Sequence, residues 1–250
     1  MSLDNIAIVL VRTSHPGNIG AAARAMGNMG LSDLRLIEPA RFPGPEATAR
    51  AVGANHVLEN AQICHTLDEA IADSEFVVGT TARSRSIAWP SSDPASAMAE
   101  LVAHSQVGKV SLLFGREASG LTNEELDRCQ RQVRIPVNED FPSLNLAAAV
   151  LIFGYELRRA YSGEVESADG EIDRSVPLAS AEQVQGFFQH LEMVLNEIGF
   201  LKSPSVRLMR KIKRIFSRAP LQAQEVNILR GILTSVQYHN PDGKDQENDR

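Results

Sequence analysis

"HPGNIGAAARAMGNMG", His15 to Gly30, follows closely on the apolar run "IAIVLV" at Ile6–Val11. An apolar run, a glycine and then a helix-like run read as strand, turn and helix. Glycines in such a turn bind phosphate when they fall as G-x-G-x-x-G. Gly17 and Gly20 are three apart, so the dinucleotide fingerprint is missing. On a helix starting near Asn18, the residues Ile19, Ala22, Met26 and Met29 form one apolar stripe. Arg24 falls on the opposite face, flanked by Ala21, Ala25 and Asn28. Such small neighbours let another backbone or a ligand approach it. Taken alone, the stretch also reads as a surface helix with an exposed arginine.

The alternation continues outward from this point. Leu34–Ile37, Phe76–Thr80, Val110–Phe114 and Val133–Val137 are short and rich in Val, Ile and Leu, as strands covered on both faces should be. Helix starts lie between them. Thr66 with Glu69 and Thr122 with Glu125 have capping-box spacing, and Asp93 precedes Pro94 as an N-cap precedes a first-turn proline. Leu144–Tyr161 reads as a long helix opened by Ser143, a natural N-cap. The pattern predicts an α/β domain with a mainly parallel sheet over residues 1–161. Residues 162–178 read as an acidic linker. Ser180 with Gln183 then opens helices near 180–199, 205–218 and 221–238, so 179–250 form a small helical extension with a polar tail.

The chain has 250 residues, 43% hydrophobic and 22% charged, which suits one domain plus an appendage. No apolar run is long enough to span a bilayer. The N-terminus lacks a basic region before its apolar run, which predicts no export signal. Two cysteines in unrelated contexts, Cys64 and Cys129, fit a reducing cytoplasm. Six scattered histidines have no metal-ligand spacing. A net charge of −6 argues against nucleic acid, but the charges are segregated. Five acids crowd residues 163–173. Seven bases, Lys202, Arg207, Arg210, Lys211, Lys213, Arg214 and Arg218, fall in a window without an acid. Leu208, Ile212, Ile215 and Phe216 form a stripe there. A basic amphipathic helix binds RNA, an anionic membrane or a partner groove, and the surrounding helices favour RNA.

Three further stretches carry candidate chemistry. "LLFGREASGLTNEEL", Leu112–Leu126, places Gly115 and Gly120 around Glu117 in a loop after a buried strand, where open parallel sheets bind ligands. "IPVNEDFPSLNLAAAV", Ile135–Val150, carries Ser143, Leu144 and Asn145 at a helix start. "TTARSRSIAWP", Thr80–Pro90, holds Arg83 and Arg85 in a hydroxyl-rich loop suited to phosphate contacts. Each of these also reads as an ordinary loop or cap.

In this order, "NIGAAAR", "LLFGREASGL" and "IPVNEDFPSLNLAAA" resemble the three motifs of the SpoU (TrmH-like) branch of the SPOUT methyltransferases. "RKIKRIFSRA" and "EVNILRGIL" resemble the C-terminal helical extension of its TrmJ subgroup. The resemblance implies a deep trefoil knot and an obligate homodimer. It also implies S-adenosylmethionine-dependent 2′-O-methylation of the ribose of nucleotide 32, C or U, in the tRNA anticodon loop. By the same resemblance Arg24, Asn18, Glu117, Ser143 and Asn145 are the catalytic set. Thr80, Thr81, Ala82, Gly115, Arg116, Ile135, Ser143, Leu144 and Asn145 hold the cofactor. Arg83, Arg85, Arg207, Arg210, Lys211, Lys213, Arg214 and Arg218 contact RNA. No metal and no membrane is expected. The alternatives are a methyltransferase acting on ribosomal RNA and a non-catalytic RNA-binding module of the same fold.

Overall fold

The computed structural model describes residues 3–82, 91–164, 177–201, 206–216 and 220–239 of the chain. Ile6–Val11 is β1, buried throughout, and Pro16–Met29 is α1. Next come β2 (Asp33–Ile37), α2 (Pro45–Ala51), α3 (Asn55–Glu59), β3 (Gln62–Cys64), α4 (Leu67–Ile71) and β4 (Ser74–Thr80). They are followed by β5 (Ser91–Ser92), α5 (Pro94–Ser105), β6 (Lys109–Phe114), α6 (Asn123–Leu126), β7 (Arg131–Val133) and α7 (Leu146–Tyr161). The appendage is α8 (Ala181–Glu197), α9 (Val206–Phe216) and α10 (Ala223–His239). Among the described residues the strands form one sheet in the order β3-β2-β1-β6-β4-β7-β5, with every neighbouring pair parallel.

Successive β1 side chains alternate between two cores. Ile6, Ile8 and Leu10 pack under α1, α2, α3, α5 and α7. Ala7, Val9 and Val11 pack on the other face with α4, α6 and Ala181 of α8. Burial on both faces is why the strands read as continuous apolar runs. The opening stretch uses glycine for helix packing. A Cβ on Gly20 would fall 2.0 Å from the Ala47 carbonyl oxygen, so only glycine lets α1 cross α2 this closely.

Some expectations need correction. β7 covers Arg131–Val133, not residues 133–137. Its pairing with β4 ends at Thr80 and Val133, and Pro136 has no N–H to extend a ladder. α7 begins at Leu146, and its N-cap is Asn145 rather than Ser143; Asn145 accepts from the Ala147 and Ala148 amides at 2.9 and 3.4 Å. The boxes at Thr122 and Ser180 form fully. Thr66 caps α4, but Glu69 accepts from the His65 amide instead of returning to Thr66. β3, β5, α2 and α3 had no reading in the sequence.

The appendage has its own small core of Phe187, Val194, Val226 and Leu233, with Phe188, Phe216 and Leu229 beside it. In α9 the inward positions are Met209 and Phe216, seven apart, while Ile215 is 60% exposed. The stripe expected through Leu208 and Ile215 is therefore rotated. Arg210 and Lys213 turn inward with it: Arg210 pairs with Asp127, and Lys213 lies over the Phe188 ring at 5.6 Å. Arg207 and Lys211 are exposed, and Arg214 is partly buried. Arg83, Arg85, Lys202, Arg218 and most of the acidic linker lie outside the described residues.

Candidate active site

In this topology the carboxyl ends of β1, β4, β6 and β7 bring four loops together, the place where open parallel sheets bind ligands. A cavity of about 230 Å³ opens there. Thr80, Thr81 and Ala82 line it after β4, and Gly115, Arg116 and Glu117 after β6. Ile135, Ser143 and Leu144 line it ahead of α7. Asn145, Asn18 and Arg24 are not among the lining residues.

The loop after β6 is built as a tight return. A Cβ on Gly115 would fall 2.1 Å from the backbone of Gly120 and Leu121. Gly120 donates its amide to the Arg116 carbonyl at 2.8 Å. The Arg116 guanidinium is held bidentately by Glu125, both contacts at 3.0 Å. Thr80 spends its hydroxyl proton on the Leu113 carbonyl at 2.8 Å. The cavity thus offers mostly backbone and apolar wall, the latter from Leu146 and Phe153.

Glu117 sits at the amino end of α1. It accepts from the Ser14 amide and hydroxyl at 3.2 and 3.1 Å, the His15 amide at 3.3 Å and the Asn18 side chain at 3.0 Å. Burial pulls its carboxyl up, but the Asn18 and backbone donors outweigh this and hold its pKa below the usual value. The helix dipole favours the same charged form. Asn18 in turn accepts from Asn145 at 3.0 Å. One residue from each of the three stretches is thereby joined, across 127 positions of sequence, in one chain: Glu117, Asn18, Asn145. Ser14 and His15 belong to this group and were missed. Their signal was faint, since two backbone amides just before a helix carry no side-chain mark. Arg24 stands apart. Six residues past Asn18, it lies about 120° round the helix and about 9 Å along it. It is exposed and has no hydrogen-bond or ion-pair partner among the described residues.

Among the described residues no cluster of His, Cys, Asp and Glu could hold a metal, and no helix is long and apolar enough to cross a membrane.

Comparison with known proteins follows the same division. The model described as the SpoU rRNA Methylase family matches residues 5–155. The model of the tRNA methyltransferase TrmJ C-terminal domain matches residues 182–249. The chain is 46% identical over 243 residues to the tRNA (cytidine/uridine/adenosine-2′-O-)-methyltransferase TrmJ of Pseudomonas aeruginosa (strain UCBPP-PA14), covering 94% of this chain and 95% of that one. It is 45% identical over 239 residues to the tRNA (cytidine/uridine-2′-O-)-methyltransferase TrmJ of Salmonella choleraesuis (strain SC-B67), covering 95% and 98%. The crystal structure of TrmJ from Z. mobilis ZM4 superposes with a TM-score of 0.80 at 35% identity, covering 92% and 98%. The three sequence motifs, the parallel sheet and the helical extension thus agree: the chain belongs to the SpoU methylase family, in its TrmJ branch, and is a methyltransferase.

Proposed function

We propose that this protein transfers a methyl group from S-adenosylmethionine to the ribose 2′-hydroxyl of nucleotide 32, C or U, in the tRNA anticodon loop. The observation that carries the reading is the cavity at the carboxyl ends of the strands, ringed by two of the motifs and tied to the first by the Glu117–Asn18–Asn145 chain. The names of the relatives support the substrate class.

The residues present fit the cofactor. The Gly115 return leaves no room for a side chain and turns backbone toward the cavity. Thr80, Thr81, Ala82, Gly115, Arg116, Ile135, Ser143 and Leu144 would hold it, with Asn145 fixing the start of α7 beneath. When bound, S-adenosylmethionine supplies a methyl on a positively charged sulfur, a leaving group already activated. What remains for the chain is the acceptor. A ribose hydroxyl must be aimed and must lose its proton as the new C–O bond forms. Arg24 grips the neighbouring phosphate through its guanidinium fork and aims the hydroxyl, so that catalysis is largely positioning. The proton leaves to water or to the phosphate so held. Glu117 keeps Asn18 and the start of α1 in place for this.

Arg24 faces away from its own Asn18, which supports a homodimer whose partner brings Arg24 to the other site. The outer face of α7, with Leu151 40% and Tyr155 52% exposed, suits such a contact. The same reading includes the trefoil knot, a cytoplasmic location, and the division into 1–161, an acidic linker 162–178 and an RNA-binding 179–250. The outward bases Arg207 and Lys211, with Arg218, carry the phosphate contacts of the appendage, and Arg83 and Arg85 carry those of the methyltransferase domain.

The test is methyl transfer from radiolabelled S-adenosylmethionine to an unmodified tRNA transcript, beside the same transcript already 2′-O-methylated at nucleotide 32. Label in the first alone is expected. Label in both would move the site. Label in neither, with ribosomal RNA labelled instead, would overturn the substrate.

A further inference from the structure

The appendage is gripped at the turn that ends α6. Asp127, the residue that ends this helix, accepts two hydrogen bonds from Arg210 of α9, at 2.7 and 3.1 Å. The pair is largely sheltered, with side chains 11% and 27% exposed. The next residue, Arg128, reaches Asp68 at 2.9 Å and Gln185 of α8. Two residues before Asp127, Glu125 holds Arg116 of the cavity wall. Leu126 and Cys129 bury this turn against the sheet. One five-residue segment therefore touches the cavity loop on one side and two appendage helices on the other.

A guanidinium whose fork is spent on a carboxylate cannot present that edge to a phosphate. We propose that Arg210 and Asp127 form a latch that fixes the orientation of the appendage relative to the cavity, and that Arg210 is a positioning residue rather than an RNA contact. RNA held by the outward bases Arg207 and Lys211 is then delivered at a set distance and angle from the cavity. This rests on the reading of the appendage as tRNA-binding.

The test uses the full chain with Arg210→Ala, Asp127→Asn and the charge swap Asp127→Arg with Arg210→Asp, beside Arg207→Ala/Lys211→Ala. Each single latch variant raises the KM for a tRNA transcript about fivefold to tenfold. kcat at saturating tRNA and the Kd for S-adenosylmethionine stay unchanged, which also shows that the cavity is folded. The swap restores most of the KM. Arg210→Ala leaves the salt dependence of tRNA binding as it was, whereas the outward pair lowers its slope by about two. The decisive variant is Asp127→Asn, which removes a negative charge and frees Arg210. A latch predicts weaker tRNA use. Unchanged or tighter tRNA binding, with a salt slope lowered by Arg210→Ala, would make Arg210 an RNA contact and overturn the proposal. If Arg207→Ala/Lys211→Ala leaves tRNA binding untouched, the tRNA reading of the appendage has failed. Small-angle scattering then decides the latch alone: a larger maximum dimension for Asp127→Asn than for the unmodified protein supports it, and identical curves overturn it.

Discussion

The two ends of the same sheet use charge in opposite ways. At the amino ends, Arg35 is 4% exposed and its fork is saturated. It donates to Asp33 at 2.9 Å, to Asp73 at 2.6 and 3.0 Å and to the Ala70 carbonyl at 2.7 Å, with Lys109 within 3.8 Å of both acids. At the carboxyl ends, Glu117 also collects four donors, yet it lines an open cavity; Arg24, further along α1, has no hydrogen-bond or ion-pair partner among the described residues. A saturated network holds structure. An incomplete one beside a cavity has capacity left for a ligand. The lesson is that neither burial nor hydrogen-bond count separates a structural charge cluster from a functional one; the unfilled space and the unpaired partner do.

Breaking the closed end should give the largest effect, and on stability alone. Arg35→Met leaves the sheltered Asp33 without its buried partner, while the half-exposed Asp73 falls back on water and Lys109, so chemical denaturation should show a loss of about 2–3 kcal/mol. Transfer by the molecules that remain folded should be unchanged. Glu117→Gln sharpens the contrast. Its amide keeps the shape but weakens four charge-assisted bonds, so stability should fall by about 1–2 kcal/mol. Methyl transfer per folded molecule should fall about 10²-fold, because the start of α1 is misplaced. A stability loss with full activity would make Glu117 a helix cap only.

A further effect concerns pH. His104 stacks on Phe76 at 4.2 Å and is 5% exposed. Burial, helped by Arg131, lowers its pKa from 6.5 to about 4. The unfolded chain therefore takes up this proton first as the pH falls. The contribution of His104 is complete above pH 6.5 and is lost progressively as the pH falls toward about 4. Thermal unfolding from pH 7 to 4.5 should show a declining Tm that is flatter in His104→Leu. Asp73 and Glu117, both held below their usual pKa, add a loss only at lower pH. An equal slope in both proteins would remove His104 from the account.

How much of this was legible depends on the range of the interactions. β1, β2, β4 and β6 were readable within two residues of their bounds, because burial on both faces writes a continuous apolar run. Capping at Thr122, Ser180 and Asp93 was readable because the partner lies three residues away. The choice of Asn145 over Ser143 was not, since both residues cap well locally and a tie to Asn18, 127 positions away, accompanies the one used. The closed cluster around Arg35 joins residues 33, 35, 73 and 109, with no pattern in any one segment. The inward turn of Arg210 was hidden for the same reason, its partner being 83 residues away. The family motifs alone placed Glu117, Asn18 and Asn145 in one group; the hydrogen bonds among them supply the physical reason.

The measurement that tests the account most directly pairs two numbers for Arg24→Ala: methyl transfer to tRNA and the Kd for S-adenosylmethionine by calorimetry. The account predicts transfer reduced by at least about 10³-fold, from lost positioning of the acceptor, with the Kd unchanged. Equal loss of both would place Arg24 at the cofactor rather than at the ribose, and retained transfer would contradict its role altogether.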